Sequence, residues 1–328
     1  MASDDTHIAI EDRKRHPTLW FDDGNIILTT NCTLFCVHRG LLSMNSPVFA
    51  DMLSMPQPDR FEDSFEVHPV VEISDNDTDF THLMCFFYDH RYYHGGTETT
   101  FEKISGLLRM STKYQMDDLR NEIISHLSLA YPSTLEQYVK AVDPSTQLSL
   151  FPPFHGQHFA IATLASETNA SVLLPTALWR SMCMTSRDIL DGVADSEGTK
   201  HMLSQKDAHL CILKKHRVYK EQMRAEAFLA SLSLKECARR NETGKIQGTS
   251  PCSEMALSEV VRHISGIEGV MTDSHDIFTK MSAFDVWRPF VCDTRRERTV
   301  SELSSVRMGC WDALPRLFKL PSWDRLRR

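Results

Sequence analysis

Apolar positions change their rhythm along this chain. Up to about residue 130, short β-rich runs are mixed with helical stripes. "NIILTT" and "CTLFCV" flank the turn-prone Asn31 and predict a hairpin. Leu41, Leu42 and Met44 cluster ahead of Asn45-Ser46-Pro47. Ser46-Pro47 predicts one short helix ending and another beginning, because proline fits the first helical turn. Val48, Phe49, Met52 and Leu53 then fall at i, i+1, i+4 and i+5, one face of the second helix. "MPQPDRFEDSFEVHP" reads as a polar loop and "VVEISD" as a strand ending at Asp75. Phe80, Leu83, Met84, Phe87 and Tyr88 stripe a core-facing helix capped by Asp77 or Thr78. Ile104, Leu107 and Leu108, then Leu119, Ile123, Ile124 and Leu127, stripe two more helices with a break near Lys113–Met116. Asp117 and Asp118 sit in the first turn of the second, where the helix dipole favours negative charge.

Past residue 135 strand signals fade. "TLEQYVKAV", "GQHFAIATLASETN", "SVLLPTALWRSMCM", the long run from Gln205 to Arg240 and "MALSEVVRHISGIEG" all read as helical. The organisation expected is a disordered N-terminus over 1–16, a first domain over 17–131, and an α-helical region over 132–328 with a loop around 241–253. "VDPSTQLSLFPPFHG" is the expected linker between the two.

Composition adds that the 328 residues, 41% hydrophobic with net charge −8, form an ordinary globular chain. Charge is uneven: residues 1–80 carry 15 Asp/Glu against 5 Lys/Arg, and residues 295–328 carry 9 Lys/Arg against 4 Asp/Glu. Arg295, Arg296 and Arg298 are too few to footprint a nucleic acid, so nucleic acid is not an expected partner. "MASDDTHIAIEDRKRHPTLW" has no apolar core of signal-peptide length, and no apolar run is long enough to span a bilayer. A cytoplasmic or nuclear location, away from membranes, is therefore expected, and the 9 cysteines read as thiols.

Chemical motifs do not assemble. "HGQH" spaces His155 and His158 without the glutamate a zinc peptidase needs as base. Cys32 and Cys36 read as buried strand residues on one face. Cys237, Cys252 and His263 flank the loop at spacings that match no strong zinc pattern; a fourth ligand would have to come from Cys211 or His216. "GKIQGTS" lacks the order of a phosphate loop. Met44, Met52 and Met55 read as core or contact surface. No catalytic residue, metal or cofactor is expected.

What the ordered set does resemble is a BTB/POZ domain. The match is carried by His38-Arg39, Leu42, Ser46-Pro47-Val48-Phe49, Met52-Leu53, Asp75, Leu107-Leu108, Lys113-Tyr114-Gln115-Met116 and Leu119. "WFDDGNIIL", "LLPTALWRSMC" and "WDALPRLFKLPSWDRL" are similar to the BTB proteins of basidiomycete fungi. The resemblance implies an α+β fold, a small β-sheet flanked by α-helices, followed by a mostly α-helical C-terminal region. It also implies a non-enzymatic protein–protein adaptor that forms homo- or heterodimers and can engage a cullin scaffold of ubiquitin ligases. The implied dimer face lies around Leu19, Trp20, Leu41 and Leu42, and the implied partner face around Phe49, Asp51, Met52 and the loop Met55–Asp63, with core packing as the other reading of Phe49. The opening position, counted back from His38, is Asn25 where many dimeric members carry Asp; Arg39 is present, so that pairing is shifted or absent. Two other classes stand beside this one: a transcription or chromatin regulator recruiting partners through the same domain, and an enzyme in the helical half using Cys183, Cys237 or Cys252 with a histidine.

Overall fold

A computed structural model describes residues 12–55, 64–65, 68–216, 218, 276–278 and 293–328. The chain forms two units: Met1–Leu129 with Leu148–Pro152, and Ala130–Gln147 with Pro153–Arg328.

The first unit holds a five-stranded sheet of β1 (Lys14–Trp20), β2 (Ile26–Thr29), β3 (Thr33–Val37), β4 (Ser64–Phe65) and β5 (His68–Glu72), in the order β1-β3-β2-β5-β4. The hairpin expected around Asn31 is present, with Ile26 opposite Val37 and Thr29 opposite Leu34. β1 and β5 add to it in parallel. Side chains alternate across the pleat. Leu28 and Phe35, paired across the hairpin, share one face, and there the Phe35 ring meets Phe80 edge-on at 5.4 Å. On the other face Ile27, Leu34 and Cys36 pack with Trp20 and Val70. Arg13 is buried beside that face: its guanidinium donates to Thr29 Oγ1 and to Glu72 Oε1, both at 2.8 Å.

Among the described residues the unit also holds α1 (Arg39–Asn45), α2 (Pro47–Ser54), α3 (Asp77–Tyr88), α4 (Phe101–Lys113) and α5 (Asp117–Leu127). Several local expectations need correction. Lys14–His16 open β1 instead of lying in a loose terminus. Ser64–Phe65 form a short strand within the expected loop, and the β5 ladder closes at Glu72–Ile73, before Asp75. Asn76, not Asp77 or Thr78, caps α3, accepting from the Thr78 and Asp79 N–H groups. Cys32 is exposed in the turn while Cys36 is buried, so they do not share an environment.

The second unit is helical, with α6 (Leu135–Ala141), α7 (Gln157–Glu167), α8 (Leu174–Met182), α9 (Ser186–Asp191), helical residues 205–216, α10 (Asp293–Leu317) and α11 (Trp323–Leu326). Among the described residues one hairpin interrupts it, Val193–Ala194 with Lys200–His201, where strand signals were not expected. Its turn is built by Asp195, whose Oδ1 accepts from the Glu197 and Thr199 N–H groups at 2.9 Å. The carboxylate's other oxygen meets His201 Nε2 at 2.9 Å, a local side-chain solution that hydrophobic periodicity cannot report. The loop expected at 241–253 and the helices expected around it lie outside the described residues.

His158 gives this unit an acid sensitivity. It sits on α7 with Nδ1 2.8 Å from the Tyr131 hydroxyl. Burial, with the Arg180 charge adding to it, holds its pKa well below the ordinary 6.5. The folded protein therefore keeps His158 neutral while the unfolded chain takes up a proton below about pH 6.5. Stability should fall as pH drops from 7 towards 5, by up to about 1.4 kcal/mol per pH unit for this one group. His16 and His82, lowered mainly by burial, act in the same direction. Urea unfolding at a series of pH values should show a shallower acid slope for His158→Gln; equal slopes would refute the assignment.

Candidate protein-interaction surface

The sequence motifs of the first unit become a set of helix ties. Ser46 ends α1 and caps α2: its Oγ accepts from the Phe49 N–H at 3.2 Å and donates to the Tyr114 carbonyl at 2.7 Å. Pro47 follows as the first helical residue. Phe49 then stacks on the Tyr114 ring, centroids 4.3 Å apart and 9° from parallel. Tyr114 donates its hydroxyl to Asp75 Oδ2 at 2.6 Å, and Lys113 Nζ holds Asp75 Oδ1 at 2.5 Å. Burial first, then the Asp75 contact, pushes the Tyr114 hydroxyl pKa up, so it stays a donor. Gln115 follows with φ of +54°, which lets α4 turn sharply into α5. Thus Ser46-Pro47, Asp75 and Lys113-Tyr114-Gln115 are one structural device that locks α2 against α4. Ser46→Ala removes the cap and leaves a buried carbonyl without this donor. It should cost about 1–3 kcal/mol, read as a shift in urea midpoint at unchanged slope.

The His38-Arg39 pair does similar work. His38 N–H donates to the Tyr88 hydroxyl at 2.9 Å, and His38 Nε2 lies 3.3 Å from Asp23. Asn25 Oδ1 accepts the Arg39 backbone N–H at 2.8 Å, serving the open start of α1. The Arg39 guanidinium reaches the Leu53 carbonyl at 2.6 Å, in the last turn of α2, where positive charge is favoured. Asn25 therefore meets the backbone of Arg39, and the guanidinium ties α1 to α2.

This geometry sorts the candidate partner residues. Leu19, Leu42 and Phe49 are core, at 3%, 0% and 0% exposure, and present no surface. Trp20, Leu41 and Met52 are half-buried, and Asp51 is exposed. Met44 on α1 and Met55 just past α2 stand out at 77% and 64% exposure. Periodicity left these methionines undecided between core and contact surface; the structure puts Met44 and Met55 outside. Of the loop Met55–Asp63, all but Met55 falls outside the described residues.

The chemical candidates do not converge. α7 starts at Gln157, so His155 precedes the helix and His158 lies on it. No group of three or more His, Cys, Asp or Glu able to hold a metal occurs among the described residues. Cys237, Cys252 and His263 lie outside them. Burial pushes the Cys183 thiol up and the Cys211 thiol up to about 12, away from the lowered range of reactive thiolates. No helix among the described residues is long and apolar enough to cross a membrane.

The described part of the first unit is thus a mixed sheet backed by tied helices, with exposed methionines at the helix ends. The sequence of that unit matches the family model for the BTB/POZ domain over residues 24–129, and the N-terminal unit is a BTB/POZ domain. Such domains are protein-interaction modules that mediate dimerisation. No curated protein matches this chain.

Proposed function

We propose that the chain is a protein-interaction adaptor acting in the cytoplasm or nucleus. It self-associates through Trp20 of β1 and Leu41 and Met44 of α1, and offers Asp51, Met52 and Met55 on and after α2 to a second protein, a cullin-type scaffold. The observation that carries this reading is the pair of exposed methionines on and beside helices that bury Leu42, Phe49 and Leu53. Exposed methionine is adaptable contact material. A specific interface needs roughly 1,200–2,000 Å² in total, so neighbours of both faces must take part. The helical unit, with "LLPTALWRSMC" and "WDALPRLFKLPSWDRL", is read as part of the same adaptor architecture.

Asp51→Lys tests the partner face. Charge reversal on an exposed residue leaves the fold and the α1 face intact. Cullin capture should drop about tenfold while the mass by light scattering stays that of the unaltered chain. Undiminished capture would remove α2 as the partner face.

A further inference from the structure

A thioether standing in water is open to oxidation, and one inside a core is shielded. In the first unit this divides the methionines. Met84, Met110 and Met116 are 0%, 5% and 8% exposed, whereas Met44 and Met55 stand at 77% and 64%. Met44 lies on the open side of α1. Gly40, one turn before it at i and i+4, is exposed, and a Cβ added there would meet nothing within 4 Å. α1 buries Leu42 and leaves Leu41 half-buried beside the two. The Met44 sulfur is therefore reached from solvent without any part of the fold moving.

We propose that Met44 is a modification site: a peroxide oxidises its sulfur, and the sulfoxide releases self-association. The inference rests on the self-association reading above. In the step, a sulfur lone pair takes one oxygen from hydrogen peroxide. The O–O bond breaks, an S–O bond forms and water leaves, so sulfur gives up the two electrons that the peroxide gains. A flexible apolar side chain becomes a polar one with a strong acceptor. Pairing would strip that acceptor of water, which a face shaped around a thioether does not replace. Pairing also covers Met44, so oxidation takes the free chain and keeps it free. Met55, assigned to the α2 face, oxidises whether or not the chains pair.

The test treats the full chain with hydrogen peroxide, then with dithiothreitol, which reverses disulfides and sulfenic acids but leaves sulfoxides. Peptide mass spectrometry reads sulfoxide at each methionine, and light scattering reads mass. In dilute, unpaired chain Met44 and Met55 should oxidise at least about tenfold faster than Met84 and Met110. In concentrated, paired chain Met44 should slow by about fivefold or more, and Met55 should not. Chain oxidised while dilute should afterwards pair at least about tenfold more weakly. Met202 and Met308 of the helical unit are also exposed, at 47% and 50%. A chain carrying Met202→Leu and Met308→Leu should therefore lose pairing to peroxide just as fully. Met44→Gln, polar and of similar length, should weaken pairing about tenfold without peroxide, and peroxide should add nothing further. Three outcomes each overturn the switch and leave self-association standing: oxidised chain that pairs like the untreated chain, a Met202→Leu, Met308→Leu chain that resists peroxide, or Met44→Gln that pairs normally. An untreated chain that stays monomeric at every concentration overturns the self-association reading and the switch together.

Discussion

Phe49→Ala should lower the stability of the BTB/POZ domain by about 3–5 kcal/mol, a large part of the roughly 5–15 kcal/mol that a domain has. The ring is fully buried, stacked on Tyr114, with Phe87 edge-on at 6.4 Å. Alanine deletes the ring's transfer energy and leaves a cavity that two helices must close. Those helices cannot close freely, because Ser46 ties α2 to the Tyr114 carbonyl and Arg39 ties α1 to the Leu53 carbonyl. Phe49→Leu refills most of the space and should cost about 1.5 kcal/mol or less. Met44→Ala, at an exposed position, should stay within about 0.5 kcal/mol of the unaltered chain. Urea unfolding followed by near-ultraviolet dichroism measures all three. The comparison separates two roles that sequence alone leaves mixed. A partner anchor would lose binding without losing stability; a core ring loses stability in the chain by itself. A midpoint for Phe49→Ala within error of the unaltered chain would refute the core role.

How much of this was legible depended on where each signal was stored. The hairpin, the Ser46-Pro47 break and the stripes of α3, α4 and α5 are written in contiguous residues, and periodicity and turn chemistry reach them. Their meaning as motifs became clear only in three dimensions. Asp75 and Tyr114 lie 39 positions apart and share one hydrogen bond. The cap of α3 went to Asn76 because its Oδ1 could serve two N–H groups at once, a choice that the neighbouring Asp77 and Thr78 disguised. β1 begins at Lys14 because its backbone pairs with β3 and its polar side chains lie at an edge, so no apolar alternation announces it. For the surface, hydrophobicity marked Leu42 and Phe49 as apolar without separating core from contact, and burial makes both core; it was silent between exposed Met44 and half-buried Met52. Leu150 and Phe151 sit in a stretch that reads as a linker, since nothing local shows that both side chains are buried.

Trp311→Ala should do to the helical unit what Phe49→Ala does to the first, at a cost of about 3–5 kcal/mol. Trp311 is 1% exposed and lies within 5.0 Å of both the Tyr138 and Phe278 rings, with Trp323 stacked at 5.6 Å. Around these rings runs a polar frame. Asp276 accepts from the Tyr138 hydroxyl at 2.6 Å, from Trp179 Nε1 at 3.1 Å and from the Phe278 N–H at 3.0 Å. Trp311 Nε1 donates to the Ser133 carbonyl at 3.0 Å, and Trp323 Nε1 to the Trp311 carbonyl at 2.8 Å. Removing the indole therefore opens a cavity among three aromatic rings, Tyr138, Phe278 and Trp323, drawn from three stretches of the chain. Trp311→Phe separates packing from hydrogen bonding. It keeps a ring in place, and the Ser133 carbonyl still accepts from Arg327 at 2.7 Å, so its loss should be under half that of alanine. Urea midpoints, with hydrogen exchange at Tyr138 and Trp179 to locate the loosening, decide between them. If phenylalanine proves as damaging as alanine, the indole N–H outweighs the packing. If neither substitution moves the midpoint, the ring cluster is not what holds the helical unit together.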